Sequence, residues 1–390
     1  MPASSSTARA INDRIALHLL RDEGPLTAGQ LKTLTGLSRP SVADLVERLQ
    51  GAGLITVVGE SGARRRGPNA RLYGIVADRA HLAALDVRTG SVTVVVTDLL
   101  GVTLAEATLP IGRNTGTGPA VEQAVALLER TVHAAGASRL HSVGIGAPGL
   151  IDPVTGELRA TTGLPAWHRK FVLALQQRLP ATVLVENETN LAAIAEQRSG
   201  AARGLGTFVL LWLGHGVGAA VVLEGRIRRG ASGGAGELGF LPVPGSGGLP
   251  SATRCDDGFH ALVGSAGICV LGAEHGIDAV PAAQEPAAAA LVRTAPSAGE
   301  PGERFLDELA TRIAVGVAAV AAVLDPGCVV LAGEVGEAGG AALATRVGAH
   351  LARLSPLNTE VRAGILGGGA VLRGALLTAR DAAQDELFSG

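Results

Sequence analysis

The sequence predicts an α/β chain in which a small helical head with a β-hairpin precedes a two-lobed body. Three observations carry this reading. Two short helical patterns joined by a glycine turn, then an arginine-rich hairpin, fill the first 78 residues; strand runs broken by glycine turns begin near residues 81 and 208 with matching spacing; and the β-branched run 182–185 stops abruptly at Glu186-Asn187-Glu188. That last stretch presents polar side chains at the carboxyl end of a strand, where α/β folds place ligands.

At 390 residues the chain is long enough for several cores. Its charge is unevenly spread: residues 1–78 hold 10 Lys/Arg against 7 Asp/Glu, and the remainder 23 against 28. A basic head on an acidic body points to nucleic acid for the head alone. Cys255, Cys269 and Cys328 are odd in number and far apart, so they fit neither a disulfide framework nor a paired metal knuckle. The opening MPASSSTARAINDR lacks the apolar core of a secretory signal, and no apolar run reaches membrane-spanning length. A cytoplasmic location with no membrane partner is therefore expected.

Residues 7–23 place Ile11, Ile15, Leu19 and Leu20 on one helical face, with Leu17 beside it. After Gly24-Pro25, Thr27 precedes a short helix expected to pack Leu31 and Leu34 and to stop at Gly36. Ser38 suits the cap of a third helix, with Pro40 in its first turn, running to about Ala52. That helix should bury Val42, Leu45, Val46 and Leu49 and show Arg39, Ser41, Asp44 and Arg48 to solvent. Two short helices about a tight turn make a helix-turn-helix whose second helix fits the DNA major groove. Two strands, 54–58 and 71–75, follow, and the hairpin tip from Ser61 to Arg71 carries four arginines and no acid, a composition suited to phosphates or a minor groove. Residues 7–77 thus read as a winged helix-turn-helix. Its candidate DNA contacts are Thr27, Gln30, Ser38, Arg39, Ser41, Arg48, Arg64, Arg65 and Arg66, and its partner is a double-stranded operator.

From His81 three strands form a meander, and a comparable pattern returns at Phe208; Gly90 to Gly101 and Gly214 to Gly225 are equally spaced, pointing to a duplicated lobe. Between the copies lie a helix (118–135), a buried strand (141–146) ending in Ala147-Pro148-Gly149, a loop with Trp167, a helix (169–179) and the strand through Val185. Asn187 or Thr189 can cap the next helix, where Leu191, Ile194 and Ala195 recur at helical spacing. The second half adds a glycine-rich stretch (230–250), a helical region from about 257, a polar insertion (281–302) and an alanine-rich helix (304–324). A strand (328–333) running into glycine turns, a strand near 359–366 and a C-terminal helix complete it.

A meander, glycine loops in both lobes and a strand ending in Glu-Asn-Glu read as an actin-like, sugar-kinase type of fold. The whole chain resembles the ROK family, specifically its transcriptional repressors, which fuse a winged helix-turn-helix to a sugar-kinase-like body. The segments carrying the resemblance are IGAPGLID (145–152), GLPAW (163–167), VENETNLAAIAE (185–196) and LGHGVGAAVVLEGRIRRGASGGAGELG (213–239). The expected units are a winged helix-turn-helix over 1–78, lobe 1 over 79–195 with the C-terminal helix 373–390 returning to it, and lobe 2 over 196–372.

Departures from a ROK kinase shape the functional expectation. The resemblance implies Asp-x-Gly-Gly-Thr in the first lobe, whose bare backbone lets phosphates approach; here Asp86-Val87-Arg88-Thr89-Gly90 carries side chains at both glycine positions. The second phosphate loop keeps Gly214, Gly216 and Gly218 but has His215 where Thr or Ser is usual. The kinase Asn-Asp pair, with its aspartate base, is Asn187-Glu188, one methylene longer, and phosphoryl transfer depends on positioning. Family members follow Gly-Glu-x-Gly with His and a cysteine cluster that closes a tetrahedral zinc site; here Phe240 and a lone Cys255 stand instead, and a family glutamate is Ala261. No zinc, no other metal and no cofactor are expected. Asn187, Glu188 and Glu237 remain as candidate effector-binding residues, with Glu188 as a capping carboxylate the plainer alternative. The resulting expectation is a non-enzymatic DNA-binding regulator, a repressor, acting as a homodimer or homotetramer on paired half-sites with a sugar or sugar derivative as effector. An ATP-dependent sugar kinase with a DNA-binding head, and a regulator with no small-molecule effector, are the alternatives.

Overall fold

Helices α1 (Ser5–Asp22), α2 (Ala28–Thr35) and α3 (Arg39–Gly51) open the computed structural model, which describes residues 5–61, 70–112, 114–159, 166–251, 257–282 and 285–389. Strand β1 (Leu26–Thr27) joins β2 (Ile55–Ser61) and β3 (Ala70–Ile75) in a three-stranded sheet ordered β1-β3-β2. Thr27 and Gln30 form a reciprocal capping box at the start of α2, and Gly36 ends it with φ of 70°, the left-handed conformation that glycine adopts without a Cβ penalty. Val42, Leu45, Val46 and Leu49 of α3 are buried as expected. Two core expectations are corrected. Ile11 and Ile15 are 51% and 43% exposed, because α1 buries Ala16, Leu17 and Leu20 instead, and Leu34 is 50% exposed because α2 turns only Leu31 inward.

The first lobe contains β4 (His81–Arg88), β5 (Ser91–Asp98), β6 (Thr103–Pro110), α4 (Thr117–Ala134), β7 (Ser142–Ala147), α5 (Ala166–Arg178), β8 (Thr182–Asn187) and α6 (Glu188–Ser199). Its sheet runs β6-β5-β4-β7-β8, antiparallel in the meander and parallel from β4 through β7 to β8. Residues 82–87 of β4 and all of β7 are buried, as central strands covered on both faces must be.

The second lobe repeats this plan. β9 (Phe208–Leu213), β10 (Val217–Leu223) and β11 (Arg226–Ile227) make the meander, followed by α7 (Phe259–Val263), α8 (Ser265–Glu274), α9 (Ala287–Thr294), α10 (Glu300–Leu324), β12 (Cys328–Ala332), α11 (Gly333–Leu354) and β13 (Glu360–Ala363). The sheet order β11-β10-β9-β12-β13 matches the first lobe strand for strand. The glycine turns expected after β12 are a helix, α11, interrupted at Gly340 with φ of 51°. Burial of Val335, Leu343, Ala344, Val347 and Leu351 in the second-lobe core outweighs the roughly 1 kcal/mol by which each glycine disfavours a helix.

The last helix, α12 (Ala370–Phe388), packs on α6, β7 and β4. Contact is backbone to backbone: a Cβ on Gly144 would lie 2.1 Å from Ala375 O, and one on Gly374 2.0 Å from Leu191 O. The far end of α12 meets the head. Arg14 pairs with Asp385 at 2.8 Å, Arg21 Nη1 donates to Gln384 Oε1 at 3.4 Å, and Gln384 Nε2 donates to Leu99 O at 3.1 Å. Phe388 and Ala383 share a core with Leu17, Leu20, Leu82 and Leu99. No helix among the described residues is long and apolar enough to cross a membrane.

Candidate functional site

In the head, Gln30, Ser38, Arg39 and Ser41, at the amino-terminal ends of α2 and α3, are all exposed. Ser38 Oγ accepts from Ser41 N at 3.3 Å and lies 2.8 Å from Ser41 Oγ, so it fixes the start of α3. Half-buried Thr27 does the same for α2. Arg48 departs from the expected solvent-facing role. Its guanidinium grips Asp13 of α1 through Nε at 3.2 Å and Nη2 at 2.6 Å, and also pairs with Asp44. Its charge therefore braces α3 against α1 inside the head. Arg64, Arg65 and Arg66 lie outside the described residues; Arg71, opposite Glu60 at the tip end of the paired strands, is exposed.

In the body, strand register aligns Asp86 of β4, Gly146 of β7 and Glu186 of β8 in one row at the carboxyl ends of the first-lobe sheet. Just beyond it, Arg88 Nε donates to Asp86 Oδ2 at 2.9 Å, Nη1 to Glu334 Oε1 at 3.3 Å and Nη2 to Gly368 O at 3.0 Å. Glu334 stands in the first turn of α11, directly after β12, so Arg88 ties the first lobe to the second. Glu334 Oε2 lies against the second glycine loop: a Cβ on Gly214 would come within 2.5 Å of it. The other side of Arg88 is fixed by His168, whose Nε2 donates to Arg88 O at 3.2 Å. Burial pushes His168 down to about 4 against that hydrogen bond, so its ring is neutral, and Trp167 meets it edge-on at 4.3 Å. Residues 163–165 of the GLPAW segment lie outside the described residues.

At the end of β8, Asn187 is the cap of α6: its Oδ1 accepts from Thr189 N at 2.8 Å and Asn190 N at 3.4 Å, while Nδ2 donates to Gly149 O at 3.0 Å. Buried Glu186 accepts from Asn187 N at 3.0 Å, Asn190 Nδ2 at 2.9 Å and, across the lobes, Arg229 Nε at 2.7 Å. Glu188 opens α6 and keeps partial solvent contact, hemmed in by protein. A helix amino terminus favours a carboxylate by roughly 0.3–1 kcal/mol. Burial first, then the charges of Asp86, Glu334 and Glu237, outweigh that and the attraction of Arg88, and push Glu188 up to about 8. Burial also raises Glu237. Glu188 and Glu237 therefore stand within each other's electrostatic reach, whereas both polar ends of Asn187 already have backbone partners.

The family's zinc region is packed differently. Phe240 meets His260 edge-on at 5.4 Å, and His260 Nδ1 accepts from Val217 N at 3.2 Å. Gly239 lies so close that a Cβ there would be 2.0 Å from His260 Nε2. Burial, with the charge of His215, lowers His260, a core side chain rather than a ligand. Cys255 lies outside the described residues, and among the described residues no three His, Cys, Asp or Glu side chains group as a metal site.

Sequence reasoning missed Glu334, Arg229 and the buried Glu196. A signal existed for the first: in a duplicated plan, the residues after β12 occupy the position of those after β7, at the mouth of the cleft. None existed for Glu196, which opens the polar run Glu196-Gln197-Arg198-Ser199 at the end of α6 and looks there like one more solvated residue.

Residues 82–382 match the model described as the ROK family, and residues 12–66 that of the MarR family. The chain is 31% identical over 212 residues to a glucokinase of Halalkalibacterium halodurans, taking in 52% of this chain and 64% of that one. It is 26% identical over 258 residues to the DNA-binding transcriptional dual regulator NagC of Escherichia coli, taking in 64% of this chain and 60% of that one. The chain thus spans under two thirds of either relative's length. A solved ROK family transcriptional regulator, described as a homolog of the E. coli MLC protein, shares the fold over 98% of both chains with a TM-score of 0.77 at 20% identity.

Proposed function

This chain belongs to the ROK family, and from that premise we propose that it is a DNA-binding transcriptional regulator, a repressor whose two-lobed body senses a small carbohydrate-like effector. What carries the reading is the combination, in one chain, of an exposed and capped α3 with a cleft in which Arg88 fills the place of a phosphate loop. A nucleotide phosphate arriving there meets a guanidinium already paired and the carboxylates of Asp86 and Glu334. The glucokinase relative favours sugar phosphorylation as the rival, and the altered loop and the longer Glu188 weigh against it.

Gln30, Ser38, Arg39, Ser41 and the wing arginines form the DNA-binding set, and Glu188 and Glu237, with Asn187 holding the loop, form the effector set. A homodimer or homotetramer presents two heads to two half-sites. An effector changes DNA affinity only by binding one lobe arrangement better than another. The test is selection of genomic fragments with the full chain, followed by footprinting. Two protected half-sites separated by a multiple of about 10–10.5 base pairs, with affinity falling steeply as salt rises, are expected. Absence of any preferred fragment, together with ATP-dependent hexose phosphorylation at about 1 s⁻¹ or faster, would establish the kinase instead.

A further inference from the structure

The interlobe cleft is short of positive charge. Asp86 and Glu334 each give one oxygen to Arg88, at 2.9 and 3.3 Å. Their second oxygens, Asp86 Oδ1 and Glu334 Oε2, are buried and have no hydrogen-bond partner in the protein. The Asp86 side chain is only 6% exposed, and an unpaired buried carboxylate oxygen is costly to leave so. Glu237 adds a further carboxyl group acting on the same space, and Glu188 one that burial and these neighbours hold protonated. Arg229, the other arginine at the cleft, is turned to Glu186. Arg88 is therefore the one guanidinium facing Asp86, Glu334, Glu188 and Glu237 among the described residues.

Resting on the sensor reading above, we propose that the effector is a positively charged small molecule, a sugar-sized polyol bearing an ammonium group, and not a neutral or phosphorylated sugar. An ammonium has three donors and no acceptor. It would satisfy the unpaired oxygens of Asp86 and Glu334 and offset the excess carboxylate charge. A phosphate would add charge of the wrong sign next to them. A bare metal ion is the poorer fit, because no three potential ligands among the described residues group tightly enough to coordinate one. An ammonium asks only for the two carboxylates that already flank Arg88, not for three ligands at metal-bonding distance.

Bringing a cation beside Glu188, held up to about 8, favours its ionised form, so below the pH at which the ligand's own amine discharges, binding releases the Glu188 proton. The groups facing Glu188 that share this response are Asp86 and Arg88 from β4, Glu334 from α11 and Glu237 from the glycine-rich stretch.

The experiment is isothermal titration of the full chain with D-glucosamine, N-acetyl-D-glucosamine, glucose 6-phosphate and MgCl₂ as separate probes, beside operator binding of the same preparation. Glucosamine should bind at least tenfold more tightly than its N-acetylated and phosphorylated counterparts, with proton release visible as a dependence of heat on buffer. Glu334→Gln, at a partly exposed position, should weaken glucosamine about tenfold and N-acetylglucosamine far less. Glu188→Gln should remove the proton release, and serves if the first variant does not fold. Equal or tighter binding of a neutral or phosphorylated sugar, saturable Mg²⁺ binding lost in Glu334→Gln, or no binding of glucosamine would each overturn the proposal. Specific operator binding in those cases leaves the regulator reading standing. Glucosamine binding without any operator overturns that reading and keeps the charge preference.

Discussion

Replacing Glu196 tests how α6 is held to the chain that leaves β13. Its side chain, 1% exposed, accepts three backbone N–H groups: Ala201 N on Oε2 at 2.6 Å, and Ile365 N and Leu366 N on Oε1 at 2.9 and 3.0 Å. It thus ties α6 to the chain leaving β13, two residues before Gly368, whose carbonyl holds Arg88. Glu196→Ala orphans three buried donors. At about 1–3 kcal/mol each the ceiling is about 9 kcal/mol, and local relaxation and entering water reduce that to about 3–5 kcal/mol. Glu196→Gln keeps the two bonds to its remaining oxygen and turns an NH₂ toward Ala201 N, donor against donor, for a loss of about 1–3 kcal/mol. Urea unfolding of the full chain supplies the totals, and hydrogen exchange at the Ala201, Ile365 and Leu366 amides supplies the local reading. All three amides should lose protection in the alanine variant, and chiefly Ala201 in the glutamine variant. An alanine variant within about 0.5 kcal/mol of the parent, a change typical of surface sites, or one whose three amides stay protected, would refute the reasoning.

Gly374→Ala and Gly348→Ala should have opposite signs. The first drives a Cβ to 2.0 Å from Leu191 O, whereas the second meets nothing nearer than Val361 at 3.9 Å; overpacking destabilises by about 1–3 kcal/mol and the helical gain is up to about 1 kcal/mol, so matching melting shifts would discredit the packing assignment. Arg48→Ala should lower head stability by about 0.5–1 kcal/mol through loss of its part-exposed pair with Asp13, while Arg39→Ala should leave melting unchanged and weaken operator binding by about tenfold; the reverse pattern would exchange their roles. Glu188 rises from 4.5 to about 8 on folding, so the native state holds a proton that the unfolded chain releases in that window. Its contribution is fully present below about 4.5 and is lost as pH climbs through the upper value, with a slope of at most about 1.4 kcal/mol per pH unit. Glu188→Gln should flatten stability against pH there, and parallel curves for parent and variant would remove Glu188 as the cause.

The head, the two meanders and the polar strand end were legible because each has a local signature: a cap with proline behind it, glycine at a left-handed position, a β-branched run cut short by charges. What was illegible depended on contacts between distant residues. On α1 two apolar stripes compete, Ile11-Ile15-Leu19 and Leu17-Leu20 with Ala16. Leu82, Leu99 and Phe388, which come from the body, share the core with the second stripe. The helix α11 hides behind five glycines between 333 and 348, and packing on α10 decides it. Of the cleft, Glu188 and Glu237 could be named from their motifs. The tie between Arg88 and Glu334 spans 246 positions and has no pattern in sequence.

The position of α12 gives that cleft mechanical meaning. Its first half touches α6 without an intervening side chain at Gly374, and α6 begins at Glu188. Its second half is held to α1 through Gln384, Asp385 and the ring of Phe388 against His18 at 5.8 Å. Arg198, in the last turn of α6, adds a 2.8 Å pair to Asp381 between those two regions. Backbone contact leaves no soft side chain to absorb a shift, since packed interiors yield little. A tilt of α6 at its Glu188 end would consequently be carried into α12 and on to the face that seats the head. The β2–β3 hairpin and α3 lie on that head, so the cleft and the exposed amino-terminal end of α3 share one continuous helical support.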